Sequence, residues 1–166
     1  RSFRVVSLDI DPDRGPDMVG DIVDFDFGGR AFDVVVMAEV LEHVRQPDRA
    51  IKAVHGILKP GGSLILSAPF VFPIHDRPDD YYRFTRYGLE WLLGDFSEVA
   101  ISERNSWAEA LNVVFVRLIK EKSRGLRLAA PLIVALAAVF QPFAMVLGRL
   151  VKTDFATSGY VARAVK

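Results

Sequence analysis

Hydrophobic and polar positions follow two different periods along this 166-residue chain, and the switches between them mark its elements. Residues 3–10, Phe3 to Ile10, form a short apolar run that contains Asp9 and stops at Asp11-Pro12. β-Branched content followed by an Asp-Pro turn predicts a strand and then a loop. Residues 17–23 read as a weaker strand stopping near Asp24 and Asp26. Residues 31–38 (AFDVVVMA) are apolar almost throughout, as in a strand buried on both faces of a parallel sheet under helices. Over residues 47–58 the period changes. Ala50, Ile51, Val54, Ile57 and Leu58 recur at helical spacing, while Asp48, Arg49, Lys52 and His55 face away. Pro47 suits the first helical turn, and Lys59-Pro60-Gly61-Gly62 ends the helix. Residues 63–68 (SLILSA) give the next buried strand, closed by Pro69.

Thr85 can cap a helix carrying Leu89, Leu92 and Leu93, with Gly94 as its stop. Residues 98–103 make a strand around Val99 and Ile101. A helix follows with Trp107, Leu111, Val114, Phe115 and Leu118 on one stripe, and SGYVARAVK alternates as a terminal strand. The middle of the chain therefore reads strand, strand, strand, helix, strand. Two parallel strands joined through a helix form a crossover unit, so the pattern predicts an α/β fold of the doubly wound type. Residues 128–148 carry no charge between Arg127 and Arg149, a length that meets the threshold for a membrane-spanning helix. Pro131 and Pro142 interrupt this segment, and a strand of the sheet follows it. Three readings stay open: a helical cap or self-association surface, a monotopic membrane contact, and a span.

Hydrophobic residues at 51% and charged residues at 25% describe a globular chain. Lys+Arg and Asp+Glu balance at 21 each, which gives no basic surface for nucleic acid. The absence of Cys excludes disulfides and thiolate metal sites, and no metal ligand set is identified. It also fits a cytoplasmic protein, with membrane association left open by residues 128–148. The chain begins with Arg1 and runs at once into an apolar strand, without a signal-peptide pattern at this end. It is read as a fragment.

The candidate chemistry lies at strand ends. Asp9 closes the first strand at the carboxyl edge, where open α/β sheets bind ligands, and its carboxylate can accept both hydroxyls of a ribose. It can equally be a turn-forming Asp beside Pro12. The strand at 31–38 delivers Ala38-Glu39 to the same edge, and Leu41-Glu42-His43-Val44 then starts a short helix. His43 can act as a general base or make a structural hydrogen bond at a helix end. His75, Asp76, Arg77, Asp79, Asp80, Tyr81, Tyr82 and Arg83 form a dense polar and aromatic run before the Thr85 helix. The run is either a binding loop on a rigid scaffold or a solvated loop with an aromatic anchor.

In combination, VVSLDIDP, VGDIVDFDF, FDVVVMAEVLEHV and ILKPGGSLILSAP, in this order and spacing, resemble class I S-adenosylmethionine (SAM)-dependent methyltransferases of the type 11 kind. The resemblance is closest to the group with an LEH signature after the family's fourth strand. PIHDRPDDYYRFTRYGLEWLL is similar to a segment that follows strand five in one branch. The resemblance covers residues 3–103 well. SGYVARAVK looks like the family's reversed last strand, and residues 104–157 fit loosely as a helical insertion in a single domain spanning 1–166. It implies a Rossmann-like, mostly parallel sheet with a reversed last strand and a methyltransferase activity. It further implies that Asp9 takes the ribose hydroxyls of SAM and Ile10 packs on adenine. Asp21 accepts from the adenine amino group with Ile22 alongside, and Ala38 and Glu39 lie by the methionine portion. His43 sits nearer the acceptor as the candidate catalytic base, and His75, Tyr82 and Arg83 are candidate acceptor contacts. The acceptor expected is a small molecule, a glycan or a lipid-linked compound, with no nucleic acid.

The family's first strand and its glycine-rich turn would precede Arg1. In the family that strand lies between those at 3–10 and 31–38, so their facing edges are expected to be unpaired and SAM binding by residues 1–166 to be poor. Two other function classes remain: a nicotinamide-dependent oxidoreductase, since an acid after a strand also suits an NAD ribose, and a non-catalytic membrane-associated α/β module.

Overall fold

The computed structural model describes residues 4–121 and 123–166. Six strands and four α-helices follow in chain order. β1 (Leu8–Asp9) and β2 (Met18–Val19) form a parallel pair with Leu8 opposite Met18. β3 (Phe32–Ala38) leads through a 3₁₀ turn (Leu41–His43) into α1 (Pro47–Ile57) and β4 (Leu58–Pro69). α2 (Arg86–Leu92) precedes β5 (Glu98–Glu103). α3 (Trp107–Arg117), a 3₁₀ turn and α4 (Arg124–Leu150) then lead to β6 (Gly159–Val165). The main sheet has the order β3-β4-β6-β5. β3 and β4 are parallel, and β6 runs antiparallel to both of its neighbours. The mostly parallel sheet with a reversed last strand is thus present.

Alternation along β4 and β6 builds the core. Leu64, Leu66 and Ala68 point to one face, joined by Tyr160, Ala162 and Ala164 from β6. Ala50, Ile51 and Val54 of α1 and Leu89 of α2 pack against them, with Met37, Leu41, Phe84, Leu93 and Phe96 closing the sides. The Thr85 hydroxyl accepts the Gly88 N–H at 3.1 Å and starts α2, as the sequence indicated.

Several expectations are corrected. The run at 3–10 is a strand only at Leu8–Asp9, and that at 17–23 only at Met18–Val19; Phe3 lies outside the described residues. Among the described residues β1 and β2 have only each other to pair with, and a ladder without further partners stays short. β3 is not buried on both faces. Val34 and Val36 are 50% and 66% exposed, because they stand on the sheet face opposite α1 and α2. β3 also forms the end of its sheet, with no partner among the described residues on its far edge. Lys59 to Gly62 end α1 but belong to β4, with Gly61 at a left-handed φ of 75° and a register shift between Phe32 and Val34. On α3 the predicted apolar stripe is reversed. Ala108, Ala110 and Asn112 are buried, while Leu111, Phe115 and Leu118 are exposed. The small residues permit close approach of α4, where Asn112 Nδ2 donates to the Ala137 carbonyl at 3.2 Å and to Gln141 Oε1. α4 runs unbroken through Pro131 and Pro142.

Because Leu66 is enclosed by α1, β3 and β6, Leu66→Ala should cost about 2–5 kcal/mol in urea unfolding. A loss below ~1 kcal/mol would mean that this face of the sheet is not the core.

Candidate functional site

The parallel register of β3 and β4 sets the site, because Ala38 lies opposite Ser67 and both chains leave the sheet at the same end. Glu39 follows with φ at 55°, a conformation uncommon outside glycine and a pointer to a constrained position. Its N–H donates to the Ser67 carbonyl at 3.1 Å, and Ser67 Oγ donates to Glu39 Oε1 at 2.8 Å. The same carboxylate pairs with Arg104, which follows β5. Neither the Arg104 pairing nor its position was legible in the sequence, since the two residues are brought together only by the sheet order.

At the carboxyl end of β1, Asp9 Oδ1 accepts the Asp11 N–H at 2.9 Å, and Oδ2 lies 3.6 Å from Arg14. The turn-forming role is therefore present, and one oxygen keeps only a long ion pair. Ile10 beside it is strongly exposed. Asp21 follows β2, and its Oδ1 accepts the Val23 N–H at 2.9 Å. Ile22 is partly buried against the core. Asp9, Asp21 and Ala38-Glu39 thus each sit at or just past the carboxyl end of a strand, two on one sheet and the third on the other.

The 3₁₀ turn after Glu39 carries the second cluster. His43 Nδ1 lies 2.6 Å from the Asp79 carbonyl oxygen, which can only accept, so Nδ1 carries the proton and Nε2 the lone pair. The His43 and His75 rings meet edge to face at 4.9 Å. Glu42, between them, has no exposed surface, and neither carboxylate oxygen has a hydrogen-bond partner. Burial pushes its carboxyl up to about 7, with the nearby Glu39 charge adding to the shift. Sequence reading used Glu42 only as part of a signature; its burial depends on a loop more than thirty residues away.

That loop is held by an ion pair. Arg83 grips Asp80 through two hydrogen bonds of 2.6 and 2.7 Å and donates to the carbonyls of Phe72, Pro73 and Tyr82. All five of its N–H groups are spent. Arg83 thus holds the loop that the sequence offered as acceptor-binding. Tyr82 Oη donates to the Arg45 carbonyl at 3.0 Å. Asp80 Oδ2 also accepts the His75 N–H at 2.8 Å and lies 3.3 Å from His75 Nδ1. The Asp80–Arg83 spacing of i to i+3 was the available sequence signal for this anchor.

Residues 4–66 match a family model described as a methyltransferase domain. Over 62 residues the chain is 42% identical to the ubiquinone biosynthesis O-methyltransferase of Pseudomonas aeruginosa, a stretch that is 37% of this chain and 24% of that protein. The protein of the same name in Coxiella burnetii is 32% identical over 87 residues, 48% of this chain and 35% of that one. The matches thus span between 24% and 35% of the length of these curated relatives. A SAM-dependent methyltransferase from Archaeoglobus fulgidus superposes with a TM-score of 0.57 and 13% identity, over 96% of this chain and 74% of that one. Phosphoethanolamine N-methyltransferase 2 from Haemonchus contortus, in complex with S-adenosyl-L-methionine, gives a TM-score of 0.52 and 17% identity over 89% of this chain and 36% of that one. At these identities the structural likeness is one of fold.

The Arg83 hydrogen bonds hold the Asp80 carboxyl at about 2, with the His75 backbone N–H assisting. A carboxylate that titrates lower folded than unfolded contributes stability that is complete above about pH 4 and is lost as pH falls toward 2. Asp80→Asn should therefore lower stability near neutral pH by about 2–3 kcal/mol in denaturant unfolding, and the difference from wild type should close between about pH 4 and 2. A gap that persists unchanged through that range would remove the ion pair as its cause.

Proposed function

We propose that this chain is a class I SAM-dependent methyltransferase domain, a reading supported by its match over residues 4–66 and by its fold, and that it transfers the SAM methyl group to a small-molecule, glycan or lipid-linked acceptor. The observation that carries the reading is the placement of Asp9, Asp21 and Glu39 at strand carboxyl ends, where open α/β sheets take their ligands.

The residues present fit the cofactor. Asp9 keeps one oxygen with only a 3.6 Å ion pair, available to ribose hydroxyls. Ile10 offers exposed apolar surface for adenine. Asp21 would accept from the adenine amino group, with Ile22 behind it on the core side. Glu39 and Arg104 present opposite charges side by side, matching the ammonium and carboxylate of a methionine portion. Ala38 leaves room for it. When bound, SAM supplies a methyl group on a positively charged sulfur.

The chain's own part is to orient the acceptor and take its proton. His43 carries its proton on Nδ1, so Nε2 has the lone pair that a general base needs. His75 meets it edge to face from the loop, Tyr82 is tied to the Arg45 carbonyl, and the Asp80–Arg83 pair fixes that loop. Much of the acceleration would come from holding hydroxyl and methyl in line.

The acceptor class rests on α4. Leu128, Leu132, Val139, Phe143, Val146 and Leu150 are exposed along it, and a groove of about 620 Å³ opens between α3 and α4. The helix is long and apolar enough to cross a membrane, but it packs against α3 in a chain whose next element is the sheet strand β6. Arg124, Arg127, Arg149 and Lys152 flank the apolar stretch, and no acid falls within it. That charge pattern suits a helix lying at the surface of an anionic bilayer on the cytoplasmic side, next to a lipid-linked acceptor.

In the full-length protein Asp9→Ala should weaken SAM binding by roughly tenfold or more in calorimetry, from the loss of charged hydrogen bonds to ribose. His43→Ala should cut kcat by ~100-fold or more while SAM affinity changes by less than about twofold. Unchanged turnover would take His43 out of the mechanism. With anionic liposomes the wild type should float, and a Leu132→Glu/Val139→Glu/Phe143→Glu variant should remain at the bottom. Equal flotation of the two would exclude α4 as the membrane contact.

A further inference from the structure

Glu42, His43 and His75 pose a problem of charge that the proposed methyl transfer does not solve. The Glu42 carboxylate is enclosed, and its two oxygens accept nothing. An unpartnered buried acid is costly, and structures retain one when something outside the protein completes it. Both imidazoles turn the same atom toward it: His43 Nε2 and His75 Nε2 each lie 3.8 Å from Glu42 Oε1. On each ring the other nitrogen faces an oxygen. His43 Nδ1 is 2.6 Å from the Asp79 carbonyl, and His75 Nδ1 is 3.3 Å from an Asp80 carboxylate that Arg83 keeps ionised. The Asp79 carbonyl places the His43 proton on Nδ1; His75 Nδ1 makes no hydrogen bond, but the Asp80 carboxylate 3.3 Å away favours a proton there, so both Nε2 atoms and Glu42 Oε1 turn lone pairs toward one another. Three acceptors facing inward need a positive centre between them.

We propose that Glu42 Oε1, His43 Nε2 and His75 Nε2 bind a divalent transition-metal ion of the zinc class. The three ligand atoms lie within 4.8 Å of one another. Tetrahedral zinc with bonds of about 2.0–2.1 Å holds its ligands about 3.3 Å apart, so the two 3.8 Å separations close by about half an ångström, and the separation between the two imidazole nitrogens closes from a distance within 4.8 Å. Two histidines and one carboxylate form a three-ligand set that leaves the fourth position open for an oxygen ligand. Carbonyl and carboxylate oxygens behind the Nδ1 atoms are the partners that orient metal-bound imidazoles and raise their basicity. Nitrogen ligands favour zinc, cobalt or nickel over magnesium or calcium. The ligands come from two segments, the turn after β3 and the loop after β4, so a bound ion also ties these together. The alternative is a single proton shared by Glu42 and an imidazole.

A zinc-bound His43 Nε2 has no lone pair left for an acceptor proton, so zinc occupancy would replace the base role proposed above; zinc uptake is read without methyl transfer, and the two proposals fail separately. The full chain is stripped with a chelator, then titrated with Zn²⁺ against a chromophoric competitor at about pH 7.5. One zinc per chain at sub-micromolar affinity is expected, with a rise in Tm. Glu42→Gln and His75→Ala should each weaken binding by about a hundredfold, while His55→Ala, outside the cluster, should leave it unchanged. Co²⁺ should give the visible absorption of a four-coordinate site, lost in His75→Ala. Failure of the stripped wild type to take up stoichiometric Zn²⁺ and to show the Co²⁺ band would overturn the proposal without reference to any variant. Equal zinc affinity of a folded Glu42→Gln would also overturn it, and would leave the shared proton as the explanation.

Discussion

Hydrogen bonding between β3 and β4 is the constraint on which the site depends. Both strands run the same way, and their register sets Ala38 against Ser67. The chain beyond Ala38 and the chain beyond Pro69 therefore emerge together, and each carries polar groups that the other requires. The first brings Glu39, Glu42 and His43, and the second brings His75, Asp80 and Arg83. A slip of one residue would turn Leu64, Leu66 and Ala68 away from α1 and also part Glu39 from Ser67. Core and site thus share one register, and the apolar burial that secures the first positions the second.

The loop after β4 illustrates how charge is managed near a buried acid. Arg83 is committed to Asp80 and to three backbone carbonyls, so it makes no hydrogen bond to Glu42 and acts on that acid only by its charge. It acts further through Asp80, which accepts the His75 N–H. An arginine in an aromatic, acidic loop is easily read as a ligand-binding group. Here its geometry makes it a brace, and the histidines it supports are the groups with lone pairs to offer.

Much of the architecture was legible from periodicity. α1, α2, β5 and β6 fall where apolar spacing, a Thr cap and simple alternation place them, because each makes its contacts largely as the local pattern dictates. β1, β2 and the outer face of β3 departed from expectation, because strand length and two-sided burial depend on neighbours that sequence period does not encode. α3 departed because close approach to α4 selects small residues over large ones. Within the site, Asp9, Glu39 and His43 could be picked out from motif position. Arg104 beside Glu39, and the burial of Glu42 between two histidines, arise only from tertiary folding and left no local signal.

The two prolines of α4 carry a mechanical consequence. Pro131 and Pro142 stand eleven residues apart, which is three turns plus a small fraction, so they occupy nearly the same side of the helix. Each removes a backbone donor and crowds the carbonyl one turn before it, bending the axis away from its ring. Two such bends in phase add rather than cancel. Their phasing therefore favours an axis that curves one way, with the prolines on the convex side, over a straight rod.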